Sequence, residues 1–210
     1  MGASEVGREQ VMDLLRALNG FYDLPRPGLD LTQTLVANAQ RAQSEAQRRF
    51  GVSLLPNELG VSALSQLLSS MHEAVRPSRF ASILGFKISF RSSVLIANTF
   101  GAFLGEALRQ RLGGEWRVVD FQNQKLVALW FDEKSWSLPT YKAGKHFTNG
   151  AEDDVMFFYQ VFVEKRLFGG LKDAFVITQA DSAKGREHVM NLYAAHEQKQ
   201  RDKAKGKMKE

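Results

Sequence analysis

Two glycines one helical turn apart, inside an otherwise apolar run, restrict this chain more than any other feature. The run is Thr99 to Trp116, TFGAFLGEALRQRLGGEW. Ile96, Phe100, Phe103, Ala107 and Leu108 recur at three- and four-residue steps, the period of one buried helix face. Leu95, Leu104 and Leu112 widen that face, so the helix is expected to be covered on most sides. Ser92 or Ser93 can cap its start, and Gly113-Gly114 can end it where a left-handed backbone is cheapest. Ala97, Gly101 and Gly105 form a second line along the same helix. Each interior glycine costs roughly 0.8–1 kcal/mol of helix propensity relative to alanine. An offsetting gain is therefore required, and close approach of another element along a side-chain-free groove supplies it.

Glu106 lies beside this groove and admits two readings. The commoner outcome is a solvated or surface-paired carboxylate, with Arg109 or Gln110 one turn on. The alternative is a carboxylate held at the seam, accepting from backbone N–H groups of a neighbouring loop or from the Trp116 indole. Either role is architectural.

These residues carry a resemblance. Gly101-Ala102-Phe103-Leu104-Gly105-Glu106 followed by Gly113-Gly114-Glu115-Trp116 resembles the signature of a family of uncharacterised bacterial domains, a domain of unknown function. Members carry Gly-Ala-Tyr-x-Gly-Glu on a helix and a Gly-x-Trp approach to a short sheet. The Leu59 to Leu64 segment is similar to the helix start upstream of that signature, and Phe103 stands where tyrosine is usual. The resemblance spans about residues 50–170. It implies a fold and transfers no active site; gene neighbourhoods of such domains include toxin–immunity loci.

The flanking chain reads as helices, then a small sheet, then helices. Val6 to Leu18 is amphipathic through Val11, Leu14, Leu15 and Leu18, and Asn19-Gly20 and a proline-braced loop follow. Asp30 with Gln33 forms a capping box for a helix reaching about Phe50. Its apolar line of Leu31, Leu35, Ala39, Ala42 and Ala46 is thin, predicting a helix packed along one edge with a broad polar side. A third helix is expected from Val61 to Val75, and a short strand or irregular segment over Phe80 to Phe90. Trp116 to Phe121 and Leu126 to Phe131 read as a hairpin, the second strand covered on both faces.

Residues 135–150 read as a long loop holding Trp136, Tyr141, Lys142, Lys145, His146 and Phe147. Its mixture of aromatics and cations makes it the expected contact surface, since long loops in compact domains are often functional. Glu152, Asp153 and Asp154 load the start of the next helix, whose Val155, Phe158, Tyr159, Phe162, Arg166 and Leu167 follow at helical spacing. Met156, Phe157, Val161 and Val163 leave little polar side, so that helix should be sandwiched, with the glycine groove as its expected partner. Ala174 to Thr178 can add a last strand, and Asp181 or Ser182 can cap a terminal helix ending in a frayed basic tail.

The expected architecture is α+β: N-terminal helices, a central glycine-grooved helix, a small antiparallel sheet, and a C-terminal helix with a basic tail. The expected organisation is a helical extension over 1–50, a core over 51–180, and a helix with tail over 181–210. Fifteen phenylalanines against four tyrosines point to core filling more than to a stacking surface.

Composition narrows the chemistry. With no cysteine there is no disulfide, thiolate nucleophile or cysteine-bound metal. Residues 197–210 hold six Lys/Arg against three acids, a net +3 of the total +5, leaving a body near +2. That is thin support for nucleic-acid binding. No signal peptide and no run of about 20 apolar residues is visible, so a cytoplasmic location off the membrane is expected. Phosphate-binding glycine loops, nucleophile elbows and paired zinc histidines are absent from the sequence. Among His72, His146, His188 and His196, the last two stand eight residues apart, the wrong spacing for ligands on adjacent turns.

No catalytic residue, metal or cofactor is therefore expected. The leading expectation is a non-catalytic protein that binds another protein, as an immunity-type protein neutralises a cognate toxin or effector. A nucleic-acid accessory role through the tail with Arg48 and Arg49 is the alternative. An enzyme using Glu106 and residues of the 136–147 loop, His146 included, is the third.

Overall fold

The central helix is one rod in three parts. In the computed structural model α4 spans Phe90–Ile96, a π-helical turn spans Ala97–Gly101, and α5 continues over Ala102–Leu112. The structure describes residues 6–19, 28–77, 88–121, 124–132 and 135–167. Residues 1–172 cluster as one unit and 173–210 as another, so all described residues lie in the first. The expected strand over 174–178, the terminal helix, the basic tail, His188, His196 and most of the 80–90 segment fall outside the described residues.

The helix begins earlier than the serines at 92 and 93 suggest. Ser89 is the cap, its hydroxyl accepting the Ser92 N–H at 3.1 Å. At the far end Gly113 and Gly114 both hold positive φ, 79° and 103°, which favours glycine. Phe100, Phe103, Leu104, Ala107 and Leu108 are all buried, so the rod is enclosed rather than superficial.

Among the described residues three helices precede it: α1 (Arg8–Leu18), α2 (Leu31–Phe50) and α3 (Glu58–Val75). The capping box of α2 forms as read: Asp30 accepts the Gln33 N–H at 2.7 Å and the Gln33 side chain returns to the Asp30 N–H. α2 buries one face and leaves Thr32, Gln33, Gln40, Ser44, Gln47 and Arg48 exposed on the other. It packs along the π turn and α5. Thr34, Asn38 and Glu45 are buried beside Leu35, Ala39, Ala42 and Ala46. Part of its polar middle bonds to neighbouring segments: Gln43 to the Leu54 carbonyl at 2.8 Å, Arg41 to the Ala17 carbonyl at 3.3 Å. α3 starts three residues ahead of Val61, capped by Asn57, which accepts the Gly60 N–H at 3.1 Å.

The sheet is antiparallel with order β1-β2-β3: β1 (Glu115–Phe121), β2 (Gln124–Asp132) and β3 (Ser135–Ser137). Trp116 pairs with Leu129, and Leu129 with Ser137, on the face turned to the helices. Trp130 pairs with Trp136 on the other face, where Arg117 stands over the Trp130 ring. Ala128 and Leu129 point to opposite faces and both have no exposed surface, so β2 is covered on both sides at its middle. The hairpin is thus as expected, and β3 is an addition.

Residues 139–149 form a helix, not a loop. This α6 (Pro139–Asn149) has proline in its first turn and no side-chain cap, and it is held by burying Thr140, Ala143, Gly144 and Phe147. A 3₁₀ turn over Gly150–Asp153 takes up Glu152 and Asp153, and Asp154 leads into α7 (Val155–Leu167). α7 packs on α3 and α5, with Phe158 and Phe131 tilted against Phe162. The fold is α+β.

Candidate functional site

The glycine line works as a groove, but α7 is not what fills it. A Cβ at Gly101 would overlap the Thr140 Cα and stand 3.1 Å from the Pro139 carbonyl oxygen. A Cβ at Gly105 would overlap the Trp116 ring and stand 3.2 Å from Pro139 Cγ. The first turn of α6 therefore lies backbone to backbone on the π turn, and the outer edge of the indole lies against Gly105 of α5. The contact is reciprocal: a Cβ at Gly144 on α6 would meet Ser93 Oγ at 3.1 Å and Ala97 Cβ at 3.2 Å. The space a Cβ would take at Gly101 and Gly105 is held by Thr140, Pro139 and Trp116, and α7 packs on α3 and α5.

Glu106 is buried at the seam rather than solvated, and it bonds both Arg109 and the Trp116 indole. Its carboxylate takes two bonds from Arg109, Nε to Oε1 at 2.9 Å and Nη2 to Oε2 at 2.8 Å. The Trp116 indole N–H donates to Oε1 at 2.7 Å. Glu106 is 5% exposed, and its bond holds the Arg109 guanidinium above its usual pKa. The carboxylate thus pins the first strand of the sheet to the helix whose glycine receives the ring.

The expected contact surface splits in two. His146 and Phe147 have no exposed surface, so they present nothing to a partner. Lys142 is turned inward to Asp153, Nζ to Oδ1 at 3.1 Å, and Asn149 donates to the same carboxylate at 2.6 Å. Trp136 is half-buried in β3. Tyr141 stays exposed, with the Lys145 ammonium 5.1 Å from its ring centre.

His146 stands in a set that includes two residues absent from the expected surface. Its Nε2 lies 2.8 Å from Ser69 Oγ, and its Nδ1 lies 4.0 Å from Asp154 Oδ1. Serine, histidine and aspartate in that order resemble a nucleophile, base and orienting acid. The hydrogen bonds run the other way. Nδ1 accepts the Val155 backbone N–H at 3.2 Å, so the neutral ring carries its proton on Nε2 and donates to Ser69. A general base would need that lone pair aimed at the hydroxyl. Asp154 accepts from Ser65 at 2.6 Å and from the Met156 N–H at 2.9 Å instead of orienting the ring. Burial, the largest influence, pushes the His146 pKa down to about 4. His72, also on α3, donates through Nδ1 to the Phe147 carbonyl at 3.0 Å. The apolar spacing of Ala143, Phe147 and Gly150 around His146 was the available signal that this histidine belongs to a helix interior.

Among the described residues no group of three or more His, Asp or Glu is placed to hold a metal ion. No described helix is long and apolar enough to cross a membrane. Compared with protein-family models, with curated proteins and with solved structures, the chain matches none.

Proposed function

We propose that this protein acts by binding another protein without transforming a substrate, as an immunity-type protein that neutralises a cognate toxin or effector. The observation that carries this reading is the direction of the His146 hydrogen bonds. The one described arrangement with the residue types of a catalytic triad spends its ring nitrogens on joining helices. Glu106 is likewise saturated by Arg109 and Trp116, with no shared hydrogen bond to His146. The resemblance of the Gly101 to Trp116 segment to domains found near toxin–immunity loci supports the same reading.

Two cation–aromatic pairs supply contact chemistry: Tyr141 with Lys145 on α6, and Trp130 with Arg117 on the sheet. Rigid aromatic rings with cations beside them are characteristic of binding hot spots. The nucleic-acid alternative gains little from Arg48 and Arg49, because both guanidiniums bond the same Glu45 oxygen, at 2.7 and 2.6 Å.

Co-expression with the product of the adjacent reading frame tests the proposal. The expected outcome is rescue from a toxic neighbour and co-purification with it. A neighbour that is neither toxic nor bound counts decisively against it.

A further inference from the structure

The first turn of α7 is held by groups outside its own helix. Every helix begins with N–H groups that have no intrahelical acceptor. Asp154 takes one of these, its Oδ1 accepting the Met156 N–H at 2.9 Å and the Ser65 hydroxyl at 2.6 Å. The Val155 N–H goes to another helix altogether, to Nδ1 of His146 on α6 at 3.2 Å. The far side of that ring donates to Ser69 on α3 at 2.8 Å. One fully buried imidazole therefore joins α3, α6 and α7, and it does so only while neutral with its proton on Nε2.

A second arrangement is already in place. Asp154 Oδ1 stands 4.0 Å from the same Nδ1. A proton added to Nδ1 turns an acceptor into a donor, so two N–H groups face each other. The carboxylate is then the acceptor at hand, and a charge-assisted bond to it replaces the amide bond. The charged groups facing the ring are Lys142 from α6, His72 from α3, Asp153 from the 3₁₀ turn and Asp154 itself; α7 contributes the Val155 N–H. The two aspartates favour the proton, and Lys142 and His72 oppose it.

We propose that His146 is an acid-sensitive latch: protonation exchanges the Val155 amide for the Asp154 carboxylate and frees the first turn of α7 from α6. Burial keeps the ring neutral down to about pH 4, so the latch is closed near neutrality and opens in acid. The inference is independent of the binding role proposed above.

Amide exchange and imidazole shifts of the labelled full-length protein, followed from pH 7 to pH 4, test it. After correction for intrinsic exchange, protection at Val155 and Met156 should fall by up to about tenfold per pH unit below about 6.5, with amides in the middle of α3 better protected at every pH. His146→Asn keeps an acceptor near Nδ1 that does not titrate, and should flatten the profile. Asp154→Asn keeps a capping side chain but removes the partner of the charged ring, and should move the loss about one pH unit lower or more. Protection at Val155 that does not change across the range overturns the latch. So does an unmoved profile in Asp154→Asn, which decides the matter even if His146→Asn fails to fold.

Discussion

Glu106 is a buried carboxylate on an enclosed helix. A carboxylate at 5% exposure is costly to bury, and three N–H groups from Arg109 and Trp116 offset that cost. Trp116→Phe deletes the donor and also the outer ring atoms, Cη2 and Cζ2, that lie on Gly105. It should lower stability by at least about 1.5 kcal/mol, the low end for a hydrogen bond to a charged group, measured by urea denaturation. A loss below about 0.5 kcal/mol would mean that neither the indole bond nor the outer ring holds the strand. On the proposed binding face the expectation is the opposite. Tyr141→Ala combined with Lys145→Ala should leave stability within about 0.5 kcal/mol of the parent and weaken partner binding at least tenfold, by about 1.4 kcal/mol, in calorimetry.

The element that decides the architecture is the central rod with α6 laid across it. Gly101→Ala would gain roughly 1 kcal/mol of helix propensity. It would also force a methyl into the Thr140 backbone, which cannot yield without moving all of α6. The expected net is a loss of about 2 kcal/mol or more in chemical denaturation, against about 1 kcal/mol for Gly113→Ala. At Gly113 an added Cβ meets nothing and only the positive φ is at stake. α6 also shows why the 139–149 stretch reads as a loop. Proline at its start, no capping side chain and a glycine in its middle are all breaker signals locally. Gly144 is a breaker only until it meets Ala97; then its missing side chain is what lets the two helices touch.

At the scale of the whole molecule, the ionisable groups predict acid sensitivity. The His146 pKa falls from 6.5 to about 4 on folding, so the unfolded chain takes the proton first as pH drops. Its contribution is fully present above pH 6.5 and is lost toward pH 4, on the order of 3 kcal/mol in all. Burial would raise the Glu45 carboxyl, but Arg49 and Arg48 outweigh it and hold it below the usual range. That stability is present above the unfolded carboxyl pKa near 4.5 and disappears as pH falls further. Denaturation midpoints measured from pH 7 to about pH 3 should decline in two stages, and His146→Asn should remove the earlier one.

The sequence by itself determined the capping box of α2, the hairpin, the α+β class and the existence of a groove along Gly101 and Gly105. Those signals act within a few residues or repeat with the helix period, so they are written in consecutive positions. Only the tertiary structure decided what lies in the groove, which way the His146 ring bonds, and that residues 139–149 are helical. Thr140 reaches Gly101 from 39 positions away and Ser69 reaches His146 across 77. No local preference specifies such pairs; the chain reversals and the volume left over after the large side chains have packed select them.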